Sequence, residues 1–487
     1  MIELGLFFRP LSILEVIEGD LASSILDLKQ ETKYLPICTD SRVAKEGDAF
    51  VSLKGETFDA DDFLKDVAPK VSLIVLEKSK KSEKLVEELR ADFPALTILV
   101  VSSTIKYLQE LASIHTSQWR KHHRGVLVGI AGSNGKTTTK EMLTHIVKNF
   151  YPEQTVSTLK NNNNHLGMPL TLLSIDARVT RVAIVEYGSN HPGEMDVLCR
   201  VALPDIAITT NIGHTHMEFF SDLKAVMHEE GAFYRHFALS QGETSSAKSI
   251  FLWNRDDEQL KNLPKYSWMK SFSAETGPSD FHYQIEGNKL VIPELIQAVE
   301  NHFVLGRHNF INLGNALVIT QMLEELFGLP MGSAEERMVT AGLFRPTPNR
   351  SQWLDSKFGN KIFLDAYNAN PSSMKAALEA FRDFCINRGD EKLSEGLVIL
   401  ADMKELGESE IQHHRELGEL VKTLGFQHVA YVGAMSDHFE KGLGRTCEQF
   451  LDARAAKIYW PKWIKEHPVI FLKGSRSLQL ESLVDLG

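Results

Sequence analysis

Cysteine, long apolar runs and an excess of positive charge are all scarce in this chain of 487 residues, and each scarcity removes a class of protein. The four cysteines, Cys38, Cys199, Cys385 and Cys447, are widely scattered. They have neither the close spacing of a zinc site nor the framework of a disulfide-stapled domain, which fits a reducing cytoplasm. No apolar run approaches the roughly 20 residues that span a bilayer, so no transmembrane segment is expected. The first ten residues carry an acid at Glu3 and lack a basic start followed by an apolar core, so no secretion signal is expected either and the location reads as cytoplasmic. With 53 basic against 64 acidic residues the net charge is −11, which argues against a nucleic-acid-binding surface while leaving room for a local basic groove. There is no internal repeat and no low-complexity tract; the asparagine run Asn161 to Asn164 is too short to count as one.

What is present is ordinary globular material, 43% hydrophobic and 24% charged. The length exceeds what one hydrophobic core organises, so about three domains are expected. Residues 1–115 hold short strand-like runs, Asp48 to Leu53 and Ser72 to Leu76, among charged helical stretches, and predict a small α/β domain. The polar, basic run Ser117 to Arg124 reads as the first linker. Across residues 116–345, apolar strands at Val126 to Ile130, Val182 to Val185 and Ile206 to Thr209 alternate with helices, which predicts a mostly parallel sheet covered on both faces. Chemistry in that architecture collects at the carboxyl ends of the strands, where Glu186, Asn211 and His214 to His216 stand. The proline-rich turn Phe344 to Asn349 reads as a second linker, and residues 346–487, with strands at Ile362, Leu397, Val429 and Val469, as a third α/β domain. A monomer is expected.

One segment is specific. From Val126 to Thr139 the chain reads Val-Leu-Val-Gly-Ile-Ala-Gly-Ser-Asn-Gly-Lys-Thr-Thr-Thr, an apolar strand running through a glycine-rich turn into a helix. Gly132 and Gly135 let the backbone turn its N–H groups toward an anion, and the new helix adds its positive end. Gly132, Ser133, Asn134, Gly135, Lys136, Thr137 and Thr138 thus form a candidate phosphate cradle for a nucleoside triphosphate, with Lys136 as the mobile cation and Thr137 offering a hydroxyl to Mg²⁺. The strict pattern places a further glycine where Ile130 stands, so the strand before and the helix after, with Met142, Leu143, Ile146, Val147 and Phe150 on one face, supply the confirmation.

Glu186 ends a strand and suits Mg²⁺ beside phosphates, although a strand-end acid pairing with a lysine would use the same residue type. His216 follows the next strand and offers an imidazole to a second ion or to a phosphate, or is simply a polar loop residue.

Several motifs occur together and in order: Gly129 to Thr138, Thr158 to Pro169, Glu186 to Asn190, Thr210 to Gly213 with His216, Gly306 to Asn312, Asp365 to Pro371, Ala401 to Gly407 and Lys473 to Arg476. Across nearly the whole chain this order resembles the Mur ligase family. The resemblance implies an N-terminal domain for a UDP-sugar, a central P-loop ATPase and a C-terminal Rossmann-like domain for the incoming amine, with ATP and Mg²⁺ as cofactors. It places Ser41 and Arg42 at the uridine nucleotide and Asn161, Asn163 and Asn164 along the substrate path. Thr137 and Glu186 would hold Mg²⁺, and His216 a second ion. Asn312 would meet adenine, Asp365 the ribose and Arg350 the phosphates. Lys473 and Arg476 would orient the amine substrate. The motif Tyr367 to Pro371, which contains Asn368 and Asn370, points to the branch of the family whose substrates are UDP-N-acetylmuramoyl-tripeptide and D-alanyl-D-alanine. Taken one at a time, Asn368 and Asn370 also suit a turn before Pro371, and Lys473 and Arg476 suit solvated charges.

The implied reaction is ATP-driven amide formation, in which a carboxylate attacks the γ-phosphate and the acyl phosphate is captured by an amine. Lys136, Glu186, His216 and Glu230 would carry it. At Glu230 the chain departs from the family, which has a carbamoylated lysine there; the acid is shorter by three bonds, roughly 3–4 Å, so a water or a backbone shift is expected to make up the distance. Leu364-Asp365, Asn349-Arg350 and Asp59 to Asp62 also depart from the usual residues. Two rivals remain: another amide ligase of the same superfamily, and a nucleotide-binding homologue that has lost turnover, which the substitution at Glu230 favours.

Overall fold

The computed structural model describes residues 1–17, 19–21, 33–55, 57–241, 249–275, 277–295, 297–387 and 395–485. Three α/β sheets carry the chain. In the N-terminal one the order is Ile13–Ile17, Thr97–Val101, Val71–Glu77, Asp48–Val51, Ile37–Cys38, with the first pair antiparallel and the others parallel. Thr97–Val101 is buried at every position and Val71–Glu77 at most of them, because helices and loops cover both faces; Leu64, Val67 and Leu89 pack on one of them.

The central sheet has seven strands in the order Phe281–His282, Met269–Ser273, Ile250–Asn254, Ile206–Thr209, Val126–Ala131, Val182–Glu186, Thr155–Ser157, and is parallel. The C-terminal sheet runs Gln352–Asp355, Lys361–Asp365, Val469–Lys473, Leu397–Ala401, His428–Val432, Glu448–Phe450, parallel except for its first pair. Its strands feed two cores by simple alternation. Phe363, Val398, Leu400 and Phe471 enter one cluster with helix residues Met374, Leu378 and Phe381, while Ile362, Leu364, Ile399, Ile470 and Leu472 enter another with Trp460 and Trp463. A three-stranded antiparallel ribbon, Gln284–Glu286, Lys289–Ile292 and Gln297–Glu300, was not foreseen. Its strands are too short to show a period.

The chain groups into two compact units, Met1–Gly129 with Tyr151–Ser189 and Glu194–Asp205, and Ile130–Phe150 with Asn190–Gly193 and Ile206–Gly487. Among the described residues no helix is long and apolar enough to cross a membrane.

One reading of the sequence is corrected here. The run Ser117 to Arg124 is not a linker but the end of the 20-residue helix Thr104–His123, so position 115/116 falls inside a helix. Ser103 caps it, and Tyr107, Leu108, Leu111, Ala112, His115 and Trp119 are buried at helical spacing. The basic residues Arg120 to His123 that made the run look like a linker sit at the helix's negative end, where cations are favoured.

His115 makes stability depend on pH. Its Nε2 donates to the Ile175 carbonyl at 3.0 Å, and burial pushes its pKa down to about 4. The unfolded chain takes up this proton near pH 6.5, so the contribution is fully present above pH 6.5 and is lost as the pH falls from there toward 4. Between pH 7 and 5 the loss amounts to about 2 kcal/mol. His115→Gln should flatten the urea midpoint over that range, and equal pH slopes in the two proteins would refute the assignment.

Candidate nucleotide site

The turn between the strand Val126–Ala131 and the helix Lys136–Phe150 is short and tight. Gly132 has φ 121° and Gly135 φ 82°, a region that favours glycine. A Cβ on Gly132 would meet Thr210 Oγ1 at 2.3 Å, and one on Gly135 would meet Asn312 Oδ1 at 2.6 Å. The segment after the strand Ile206–Thr209 clamps this loop. Ser133 N donates to the Asn211 carbonyl at 2.9 Å, Asn134 N to Asn211 Oδ1 at 3.1 Å, and Asn211 Nδ2 returns a bond to the Asn134 carbonyl at 3.0 Å. Thr210 Oγ1 donates to the same carbonyl at 2.6 Å, and Gly213 N donates to Ser133 Oγ at 2.8 Å. So constrained, the loop has the preset shape that an anion cradle needs.

Lys136 Nζ donates to the Gly132 carbonyl and lies 3.7 Å from Glu230 Oε1; the other oxygen of Glu230 accepts the Gly132 N–H at 2.8 Å. Glu230 therefore reaches the loop itself, from the last turn of the helix Leu223–Glu230. His216, with φ 52°, pairs instead with Glu405, 2.7 Å away, and this contact holds the Glu405 carboxyl below its usual range. Thr138 and Arg350 line one small pocket with Glu141, Asn309 and Thr347, and the Arg350 guanidinium stacks 3.7 Å above the Tyr367 ring. Asn312, expected at the adenine, lies buried beneath the loop, where its amide accepts from Thr139 Oγ1 at 3.2 Å.

The third-domain motif sits on this loop. Asn370 Nδ2 donates to Asn134 Oδ1 at 2.8 Å, and Asn134 Nδ2 donates to Ser372 Oγ at 2.9 Å. Asn368 Oδ1 accepts the next backbone N–H, that of Ala369, at 2.8 Å, a turn contact. Lys473, expected to orient the amine substrate, is 2% exposed and directs its ammonium to Asp365 and the Asn368 carbonyl, so here its charge fixes the motif. Asp365 and Lys473 face each other in register on adjacent strands, and Asp365 also accepts the Ser351 N–H at 3.1 Å. Arg476 is exposed and pairs with Glu481 at 2.8 Å.

In the other unit, Glu186 is 2% exposed and its Oε1 accepts from Asn163 Nδ2 at 2.9 Å. Asn163 also accepts the Gly188 N–H through its carbonyl, which ties the asparagine run to the strand end. Asn164 accepts from Leu166 N and Gly167 N and so starts the helix Gly167–Leu173, while Asn161 is exposed. Arg42 chelates Asp40, whose pKa it pulls down to about 2, and Ser41 stands between them. Among the described residues no three His, Cys, Asp or Glu side chains gather as a metal site.

Sequence reasoning missed Glu405, Glu229 and Ser372. Each meets a partner remote in the chain, and the signals that could have found them were local: Glu405 lies inside the motif Ala401 to Gly407, Glu229 precedes Glu230, and Ser372 follows the motif that ends at Pro371.

Comparison with known proteins gives the family and the fold. The family model described as Mur ligase middle domain matches residues 130–320, and that described as Mur ligase, glutamate ligase domain matches residues 349–476. UDP-N-acetylmuramoyl-tripeptide–D-alanyl-D-alanine ligase of Bacillus subtilis is 28% identical over 490 residues, covering 97% of this chain and 96% of its own. That of Escherichia coli is 29% identical over 486 residues, with 96% of each covered. Crystal structure I of MurF from Acinetobacter baumannii superposes with a TM-score of 0.74 at 26% identity and 92% of each chain. MurF from Thermotoga maritima in complex with ADP shares the fold, with a TM-score of 0.72 at 23% identity, 92% of this chain and 96% of its own being covered. The chain belongs to the Mur ligase family. It has that family's three-domain α/β fold and is an ATP-dependent, ADP-forming ligase of peptidoglycan synthesis.

Proposed function

We propose that this enzyme works in the cytoplasm and joins D-alanyl-D-alanine to UDP-N-acetylmuramoyl-tripeptide. The observation that carries the choice of substrates is the Tyr367 to Pro371 motif, whose Asn370 bonds directly to Asn134 of the phosphate loop. The names of the full-length relatives support it.

The division of labour follows the three sheets, the N-terminal one for the UDP-sugar, the central one for ATP and the C-terminal one for the dipeptide. The tripeptide carboxylate attacks the γ-phosphate, ADP leaves, and the amine of D-alanyl-D-alanine displaces phosphate from the acyl phosphate. These steps bring anions together, so they need fixed positive groups more than a nucleophilic side chain. Lys136 and the N–H groups of the loop supply these, Arg350 adds charge beside Thr138, and Asp365 stands for the ribose. Glu186 and Thr137 are each an oxygen donor of the kind a divalent cation takes beside phosphate, and Mg²⁺ would supply charge that neutralises phosphate; His216, paired with Glu405, is the candidate for a second ion.

Phosphate release tests the proposal. It should require ATP, UDP-N-acetylmuramoyl-tripeptide and D-alanyl-D-alanine together. Release with a single amino acid in place of the dipeptide would assign another ligase of the superfamily, and nucleotide binding without any release a homologue that has lost turnover.

A further inference from the structure

Two adjacent glutamates close the helix Leu223–Glu230, and both are buried, Glu229 to 2% and Glu230 to 3% exposure. A buried carboxylate is costly unless it is matched. Each of these reaches a different loop: Glu229 Oε2 accepts the Gly193 N–H at 2.7 Å, and Glu230 Oε2 accepts the Gly132 N–H at 2.8 Å. The second oxygen of Glu230 lies 3.7 Å from Lys136 Nζ, an ion pair with only 4% and 14% side-chain exposure. A backbone N–H at a glycine turn and a lysine ammonium are what a phosphate loop offers to phosphate. In this chain the same two groups already hold an anion that belongs to the protein.

We propose that Glu230 is a built-in counter-anion of the phosphate loop, holding Gly132 and Lys136 in place in the empty enzyme and competing with the nucleotide's phosphates for them. It is a positioning residue, acting through Lys136. Two consequences follow from its charge. The cradle keeps its shape without nucleotide, because the half-buried ammonium has a partner. A nucleotide must also overcome the carboxylate's repulsion, so Glu230 weakens nucleotide binding while it directs Lys136 for turnover. A side chain that merely props the loop would do the opposite, since its loss would loosen the cradle and weaken binding.

The inference rests on the reading of Gly132 to Thr138 as a nucleotide site, and the test separates the two. Calorimetric titration with ADP in EDTA removes any metal from the comparison. Glu230→Gln, which keeps the shape and removes the charge, should bind ADP about tenfold more tightly, a change of ~1.4 kcal/mol. Glu230→Asp, which withdraws the charge from the loop, should fall between Gln and the wild type. In steady-state assays of Glu230→Gln, KM for ATP and kcat should fall together. Unchanged or weaker ADP binding in either variant, with its melting transition intact, overturns the proposal. A wild-type enzyme that binds no ADP would instead overturn the nucleotide site itself.

Discussion

Lys136→Ala should lower kcat/KM for product formation by about a thousandfold or more, on the order of 4 kcal/mol of transition-state stabilisation. The ammonium leaves the loop from the first residue of the helix Lys136–Phe150, donates to the Gly132 carbonyl and lies beside Glu230, so its partners are polar groups of the loop and not the apolar core. The variant should therefore stay folded while losing turnover, its melting transition lowered only by what the unpaired Glu230 carboxylate costs, since that group keeps the Gly132 N–H. Charge on the transferring phosphoryl group develops where a fixed cation acts most strongly. Product formation at anything near the wild-type rate would remove the phosphate-cradle reading, and with it the central argument for function.

Lys473→Ala should unfold more easily, by about 3 kcal/mol, the low end of what breaking a buried ion pair costs. Lys473 is 2% exposed and has no water to turn to, while Asp365 is 15% exposed and retains the Ser351 N–H. Losing the lysine leaves a carboxylate facing an apolar strand position, so the unpaired charge rather than the lost attraction sets the size of the effect. The double variant Asp365→Asn/Lys473→Met should recover much of the loss, because two neutral groups need no partner. Urea midpoints of the three proteins measure this directly. A single variant as stable as the wild type would mean that the pair contributes nothing and that Lys473 is available to substrate after all.

The same chemistry shows where sequence could and could not speak. The strands Val126–Ala131, Val182–Glu186, Ile206–Thr209 and Val469–Lys473 were legible because a strand covered on both faces is a short continuous apolar run. The end of the helix Thr104–His123 was read as a linker because its last turns are polar, a composition shared by linkers and helix ends. The ribbon from 284 to 300 stayed invisible, since strands of three or four residues leave no period to detect.

The tight turn at Gly132 and Gly135 was legible because strand, turn and helix are consecutive and the turn's backbone demands glycine. The chain alone therefore determined the α/β class, the nucleotide chemistry and, through the order of its motifs, the family. Only the tertiary structure decided what each charge faces. Lys473, free to orient a substrate on paper, is consumed by Asp365, 108 residues away in sequence; Glu230 meets Gly132 and Lys136, whereas His216 meets Glu405. Backbone conformation follows from neighbours along the chain, but the pairing of buried charges is set by whichever opposite charge or N–H the fold brings within about 4 Å, and spacing in the sequence carries no record of that distance.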